Sequence, residues 1–211
     1  MNINNELKKY MEDNILLEYE KNDEGHNIEH VEYVLKRAFE INEKYYLDDN
    51  MLYTIVCFHD IACYINRKEH ERLSAERLYN DKKLREFFND NEMLIMKEAV
   101  ENHRASLEYE PRNIYGKILS SADRKVDVDV YLKASMGYYI KKHPDISKEY
   151  LIEDSYNFAI KKFGKNGYAV NKIYVKDEKY EKFLNEIQYL IDNKREYNKR
   201  AEQVLAELKW I

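Results

Sequence analysis

Apolar residues recur at three- and four-residue spacing along most of this chain, and the pattern reads as a string of amphipathic helices. The first is expected over about residues 4–20. Gly25 and Asn27 punctuate the start of a second, with Asn27 as its N-cap and Ile28, Val31, Val34, Leu35, Ala38 and Ile41 as its apolar face. Further helices are expected over about residues 50–63, 69–80 and 91–103. A sixth follows Pro111 and carries Ile114, Ile118, Leu119 and Ala122. A seventh, over about 127–142, stops ahead of Pro144, because the residue before a proline is disfavoured in a helix. The next, about 147–162, ends at the turn Phe163-Gly164-Lys165-Asn166-Gly167. A stripe of Tyr180, Phe183, Leu184, Ile187, Leu190, Ile191, Tyr197, Ala201, Val204, Leu205 and Leu208 then marks one or two long helices. It reads as packing against the parent domain, with a homodimer seam through the C-terminal helices as the sharper alternative. The expected division is a helical domain at 1–144, its core at about 22–140, and a C-terminal helical extension at 145–211 packed on or capping the bundle.

Composition agrees with the pattern. Five glycines and two prolines in 211 residues, with abundant Lys, Glu, Leu, Ile and Tyr, favour an all-α protein. The length suits one domain, or one with an appendage. No stretch of about 18 apolar residues signals a membrane span, and no membrane partner is expected. The start, Met1-Asn2-Ile3-Asn4-Asn5-Glu6, lacks the basic and apolar regions of a secretory signal. Cys57 and Cys63 fall on different faces of one expected helix, so a local disulfide is not expected and a reduced, cytoplasmic setting is. The net charge of −5 argues against an extended nucleic-acid surface. The twenty tyrosines, spread along the helices, read as half-buried rings with wet hydroxyls.

One run changes the picture. Ile55-Val56-Cys57-Phe58-His59-Asp60-Ile61-Ala62 sets an imidazole and a carboxylate at the end of an apolar stretch. Burying a carboxylate costs several kcal/mol, about 3 or more, unless something compensates, and the adjacent histidine suggests a metal ion. A helix advances about 100° per residue, so each candidate ligand can be placed against its own apolar face. His30 lies about 20° from Ile41 and about 40° from Val34 on this wheel. His59 falls between Ile55 and Leu52, His103 between Met96 and Ala99, and Asp123 beside Leu119 and Val126. A single histidine on an apolar face is ordinarily a hydrogen-bonded core residue, and a buried aspartate can pair with an arginine or cap a helix. Four inward ionisable groups on four helices would each need a separate buried partner, whereas one metal centre satisfies them together.

His30 ahead of Val31-Glu32-Tyr33-Val34, then His59-Asp60, then Asp123 in Ser121-Ala122-Asp123-Arg124, resembles the HD-domain metal-dependent phosphohydrolase superfamily over about residues 22–140. Gly25-His26-Asn27-Ile28-Glu29-His30 is similar to the opening of small bacterial members. His70 in His70-Glu71-Arg72-Leu73 and His103 in Glu101-Asn102-His103-Arg104 look like the extra histidines of members that bind two metals. The helical wheel supports His103; it gives His70 only Leu73, Ser74 and Arg77 as company. Ile61-Ala62-Cys63-Tyr64 stands where many members have Ile-Gly-Lys or Ile-Gly-Asp, which removes a lysine available to a phosphate or leaving group.

The resemblance implies an HD-type helical bundle that holds one divalent cation through His30, His59, Asp60 and Asp123, and a second through His70 and His103 with Asp60 as bridge. Mixed nitrogen and oxygen donors suit Mn, Fe, Co, Ni or Zn better than Ca. Arg104, Arg124, Arg67 and Lys68 are candidates for contacting a phosphate, each equally readable as a solvated surface charge. His26 is a candidate general acid or outer partner of the centre. The function expected is hydrolysis of a nucleotide or other small phosphate ester. The alternatives are a di-iron oxygenase of the same fold and a non-catalytic metal-binding adaptor.

Overall fold

The computed structural model describes residues 2–208, all helix, turn and loop. Among the described residues ten α-helices follow one another: α1 Asn5–Tyr10, α2 Ile28–Asn42, α3 Asp49–Phe58, α4 His70–Asn80, α5 Asp90–Glu101, α6 Ile114–Ala122, α7 Val128–Lys142, α8 Lys148–Phe163, α9 Glu178–Asp192 and α10 Lys194–Glu207. No strand occurs among the described residues, so the all-α expectation holds. After α1 the chain stays helical through a wide turn at Met11–Ile15 and a tight one at Leu16–Lys21.

The chain divides into two compact units, Met1–Asp123 with Tyr174–Lys176, and Arg124–Ile173 with Asp177–Ile211. In the first, α3 is the central rod: every residue from Met51 to Phe58 is buried. Helices α2, α4, α5 and α6 and the N-terminal segment pack around it. Local chemistry fixes where the surrounding rods begin. Asn27 caps α2 by accepting the His30 N–H at 3.2 Å. Asn89 and Glu92 form a reciprocal capping box on α5. Gly116 lets α6 lie against α5: a Cβ there would meet Pro111 Cβ at 3.1 Å and Ala99 Cα at 3.3 Å.

In the second unit α7, α8, α9 and α10 pack on one another around Tyr131, Leu132, Met136, Leu151, Phe163, Phe183, Ile187 and Tyr197. The stripe expected as a packing face or dimer seam is core here: from Tyr180 to Leu205 each of its residues is buried, and Leu208 alone is exposed. The unit also begins earlier than the break expected at 144/145. Val128, Tyr131, Leu132 and Met136 bury one face of α7 against its neighbours, so packing places the boundary at Asp123. Among the described residues no helix is long and apolar enough to cross a membrane.

Candidate metal centre

Six side chains converge inside the first unit, and the ends of the rods bring them there. Helix α3 stops at Phe58, short of the expected residue 63, so His59 is its C-cap and Asp60 lies in the turn beyond. His103 follows the C-cap of α5, and Asp123 is the C-cap of α6. Three helix C-termini thus meet, and the partial negative charge at each favours a cation. His30 comes from the first turn of α2 and His70 is the first residue of α4.

Asp60 is the hub. Its Oδ2 lies 3.4 Å from His30 Nε2 and 3.3 Å from His59 Nε2. His30 Nε2 is 3.1 Å from Asp123 Oδ1 and 3.2 Å from His59 Nε2. The other oxygen, Asp60 Oδ1, lies 3.1 Å from His70 Nε2 and 3.4 Å from His103 Nε2. Among the described residues three sets of donor atoms result, each within 4.8 Å and each sharing Asp60: His30, His59, Asp60 and Asp123 on one side, Asp60, His70 and His103 on the other, and a smaller set of His26, Asp60 and Cys63. His70 therefore belongs to the cluster more firmly than the helical wheel suggests. The buried face of α4 is His70, Ser74, Ala75 and Leu78, and small or polar residues there carry little hydrophobic signal while allowing close approach.

The ring tautomers follow from fixed acceptors. His59 Nδ1 donates to the Val56 carbonyl at 2.7 Å, His70 Nδ1 to the Arg67 carbonyl at 2.9 Å and His103 Nδ1 to the Val100 carbonyl at 2.6 Å. A carbonyl only accepts, so each Nδ1 carries hydrogen and each Nε2 faces the carboxylates. In the neutral rings that arrangement sets lone pairs of nitrogen against lone pairs of oxygen. Only protons or a cation relieve it. Burial disfavours the His30 imidazolium, but hydrogen bonds and charge from Asp123 and Asp60 outweigh this and raise its pKa to about 9. Burial likewise opposes ionisation of Asp60, yet His59, His103 and His30 hold its carboxyl well below the usual range. Asp123 is lowered to about 2 against the same burial cost, chiefly by His30. The donor set thus gathers buried carboxylates with imidazole nitrogens, and it fits a divalent metal.

The cluster is enclosed except at one member: the Asp123 side chain is 27 % exposed, against 7 % or less for His30, His59, Asp60, His70 and His103. Solvent reaches it there.

His26 stands beside this group, its ring edge-on to His30 at 5.9 Å. Its Nδ1 donates to Asp23 Oδ1 at 2.7 Å, and Arg67 donates to Asp23 Oδ2 at 2.7 Å. Cys63 also approaches Asp60, and burial and the Asp60 charge push its thiol up. Both cysteines are free and buried. Of the expected phosphate contacts, Arg104 is spent on the loop before α4: it donates to the carbonyls of Arg67 and Lys68 at 3.1 and 3.3 Å and to Glu71 at 3.1 Å. Arg67 is exposed and ion-paired to Asp23, Lys68 is exposed, and Arg124 is buried in the second unit with its guanidinium 4.8 Å above the Tyr180 ring. Sequence reasoning missed Asp23 and Glu71. Both sit in polar, helix-flanking runs where no periodicity marks them.

A helical bundle folded around an imidazole–carboxylate cluster defines the class: an all-α protein with a buried group of residues able to hold metal. Residues 27–125 match the family model of the HD domain. A solved structure of a predicted HD superfamily hydrolase from an uncultured Thermotogales bacterium is similar, at 23 % identity and a TM-score of 0.51, covering 76 % of this chain and 90 % of that one. No curated protein matches.

Proposed function

We propose that this protein is a metal-dependent phosphohydrolase acting on a nucleotide or another small phosphate ester. The observation that carries the reading is the two-sided presentation of Asp60, one oxygen toward His30 and His59 and the other toward His70 and His103. His30, His59, Asp60 and Asp123 would hold one divalent cation, and Asp60, His70 and His103 a second. Bound there, such ions supply Lewis-acid polarisation of a phosphoryl oxygen and acidify water.

The chain's own residues do the rest. The backbone carbonyls of Val56, Arg67 and Val100 fix the rings so that Nε2 is the coordinating atom. Asp123, the exposed member, lies where substrate enters. His26, with its Nδ1–H donated to Asp23, would give the leaving oxygen a second proton carried at Nε2, returning to the Nδ1–H ring. Lys68 reaches for phosphate from a loop that Arg104 holds in place. The test is elemental analysis of protein purified without a histidine tag, followed by a panel of phosphate esters and nucleotides under each of Mn, Fe, Co, Ni and Zn. The expected result is two metal equivalents and metal-stimulated release of phosphate or pyrophosphate. No release from any ester under any metal would overturn the reading.

The grouping of His70 and His103 on Asp60 also favours a second chemistry, oxidation at a di-iron pair. Turnover with Mn under anaerobic conditions separates the two, because hydrolysis needs no oxygen.

A further inference from the structure

We propose that Tyr19 and Asn22, which precede the residues matched by the HD-domain family, are positioning residues that break α3 at the right place and thereby set both the direction of Asp60 and the tautomer of His59. The inference rests on the reading of the cluster as a metal centre.

In an uninterrupted helix the Asp60 N–H would bond to the Val56 carbonyl and the Ile61 N–H to the Cys57 carbonyl. Neither bond forms. The Tyr19 hydroxyl, on a fully buried ring, stands between the two strands of that ladder: it donates to the Cys57 carbonyl at 3.0 Å and accepts the Asp60 N–H at 3.3 Å. Ile61 N–H turns to the Phe58 carbonyl at 3.3 Å instead. A side chain inserted into the ladder in this way is a known cause of helix breaks. Its consequence is chemical. Relieved of Asp60, the Val56 carbonyl accepts His59 Nδ1–H at 2.7 Å, the bond that turns His59 Nε2 toward Asp60 and His30.

Asn22 holds the far side of the same turn. Its side-chain amide donates to the Asp60 carbonyl and to the His26 carbonyl, each at 3.0 Å, and its Oδ1 accepts the Tyr64 N–H at 2.8 Å. One short segment thus fixes the N–H of Asp60 through Tyr19 and its carbonyl through Asn22. The same asparagine ties the His26 backbone to that turn. With both ends of the Asp60 peptide fixed, its carboxylate is left to face the two sets of imidazoles.

Tyr19→Phe keeps the ring and removes only the wedge. Metal titration by calorimetry is expected to show affinity at least about tenfold weaker, the scale seen when partners of metal ligands are lost. Nitrogen NMR of the metal-free protein is expected to show His59 leaving its single Nδ1–H tautomer. Tyr10→Phe, which deletes a hydroxyl bound to Asp81 at 2.6 Å in the same segment, should change neither readout. If Tyr19→Phe does not fold, Asn22→Ala is read the same way, with the loss in metal affinity as the expected result. Wild-type affinity together with an unchanged His59 tautomer would overturn the proposal. Should the wild-type protein take up no metal, the metal-centre reading fails, and the tautomer of metal-free Tyr19→Phe still decides whether the wedge acts as argued.

Discussion

The two units solve the same packing problem with opposite materials. Both bury apolar stripes of short helices, but the first encloses His30, His59, Asp60, His70 and His103 while the second encloses rings. In the second, Phe183 sits 5.1 Å from Phe163 and 5.8 Å from Tyr180. Buried hydroxyls there find neutral partners: Tyr180 donates to the Ala169 carbonyl at 3.1 Å and Tyr197 to Ser155 at 3.2 Å. The unit's buried charges do not converge: Arg124 lies over the Tyr180 ring and Asp177 caps α9. A core of this kind shows that helices of this length need no interior cluster of imidazoles and carboxylates. The repulsion between the carboxylates gathered in the first unit is a cost that a bound cation would offset.

The sharpest way to break this contrast is Asp60→Ala. Because Asp60 belongs to every donor set, turnover is expected to fall at least about a hundredfold, the scale of losing a charge-stabilising group, and the bound metal to drop toward zero equivalents. Metal analysis and phosphate-release assay on the same sample check it. Retained metal and retained turnover would mean that the cluster is not the centre. The mirror experiment is Phe183→Ala. Truncating a buried phenylalanine costs about 3–5 kcal/mol, read by urea unfolding, and should leave metal content untouched. Metal removal comes next in size. A ligand at a hundred times its dissociation constant contributes about 2.7 kcal/mol, so chelation should lower stability by about that much. Hydrogen exchange should place the loss in α2, α3 and α6 rather than in α7–α10. Equal deprotection of both units would show that the second also depends on the cation.

Much of the first unit was legible because helical periodicity is a geometric fact. His30, His59 and His103 are buried as the wheel expects, although the last two lie at or beyond the ends of their helices, and Asn27 caps the helix it announces. What escaped has causes that no periodicity records. His70 hid because Ser74 and Ala75 make the face of α4 small rather than greasy. The end of α3 at Phe58 hid because its cause, Tyr19, lies about forty residues away in a chain with twenty tyrosines. The unit boundary hid because α7 carries the same kind of apolar face as the helices before it, and only packing says which neighbours it chose. The end of α3 and the grouping of α7 follow contacts distant in sequence, whereas the weak signal at His70 comes from the small residues of its own helix.

A surface ion pair tests the contrast from its weakest side. In the second unit Arg200 grips Asp129 with two nitrogens, one of them at 2.9 Å, and the side chains are 40 % and 39 % exposed. Water screens such a pair, and holding two long side chains in one geometry costs entropy, so its net contribution is small. Arg200→Ala is expected to lower stability by no more than about 1 kcal/mol, with the difference shrinking further in high salt. Urea unfolding at two salt concentrations measures it. Asp123→Ala removes a carboxylate of similar chemistry from the buried cluster, where His30 is its partner at 3.1 Å, and should cost activity rather than follow the salt concentration. If Arg200→Ala proves as damaging as a core truncation, then charge matters to the second unit as much as to the first. The division between a unit built around ions and one built around rings would not stand.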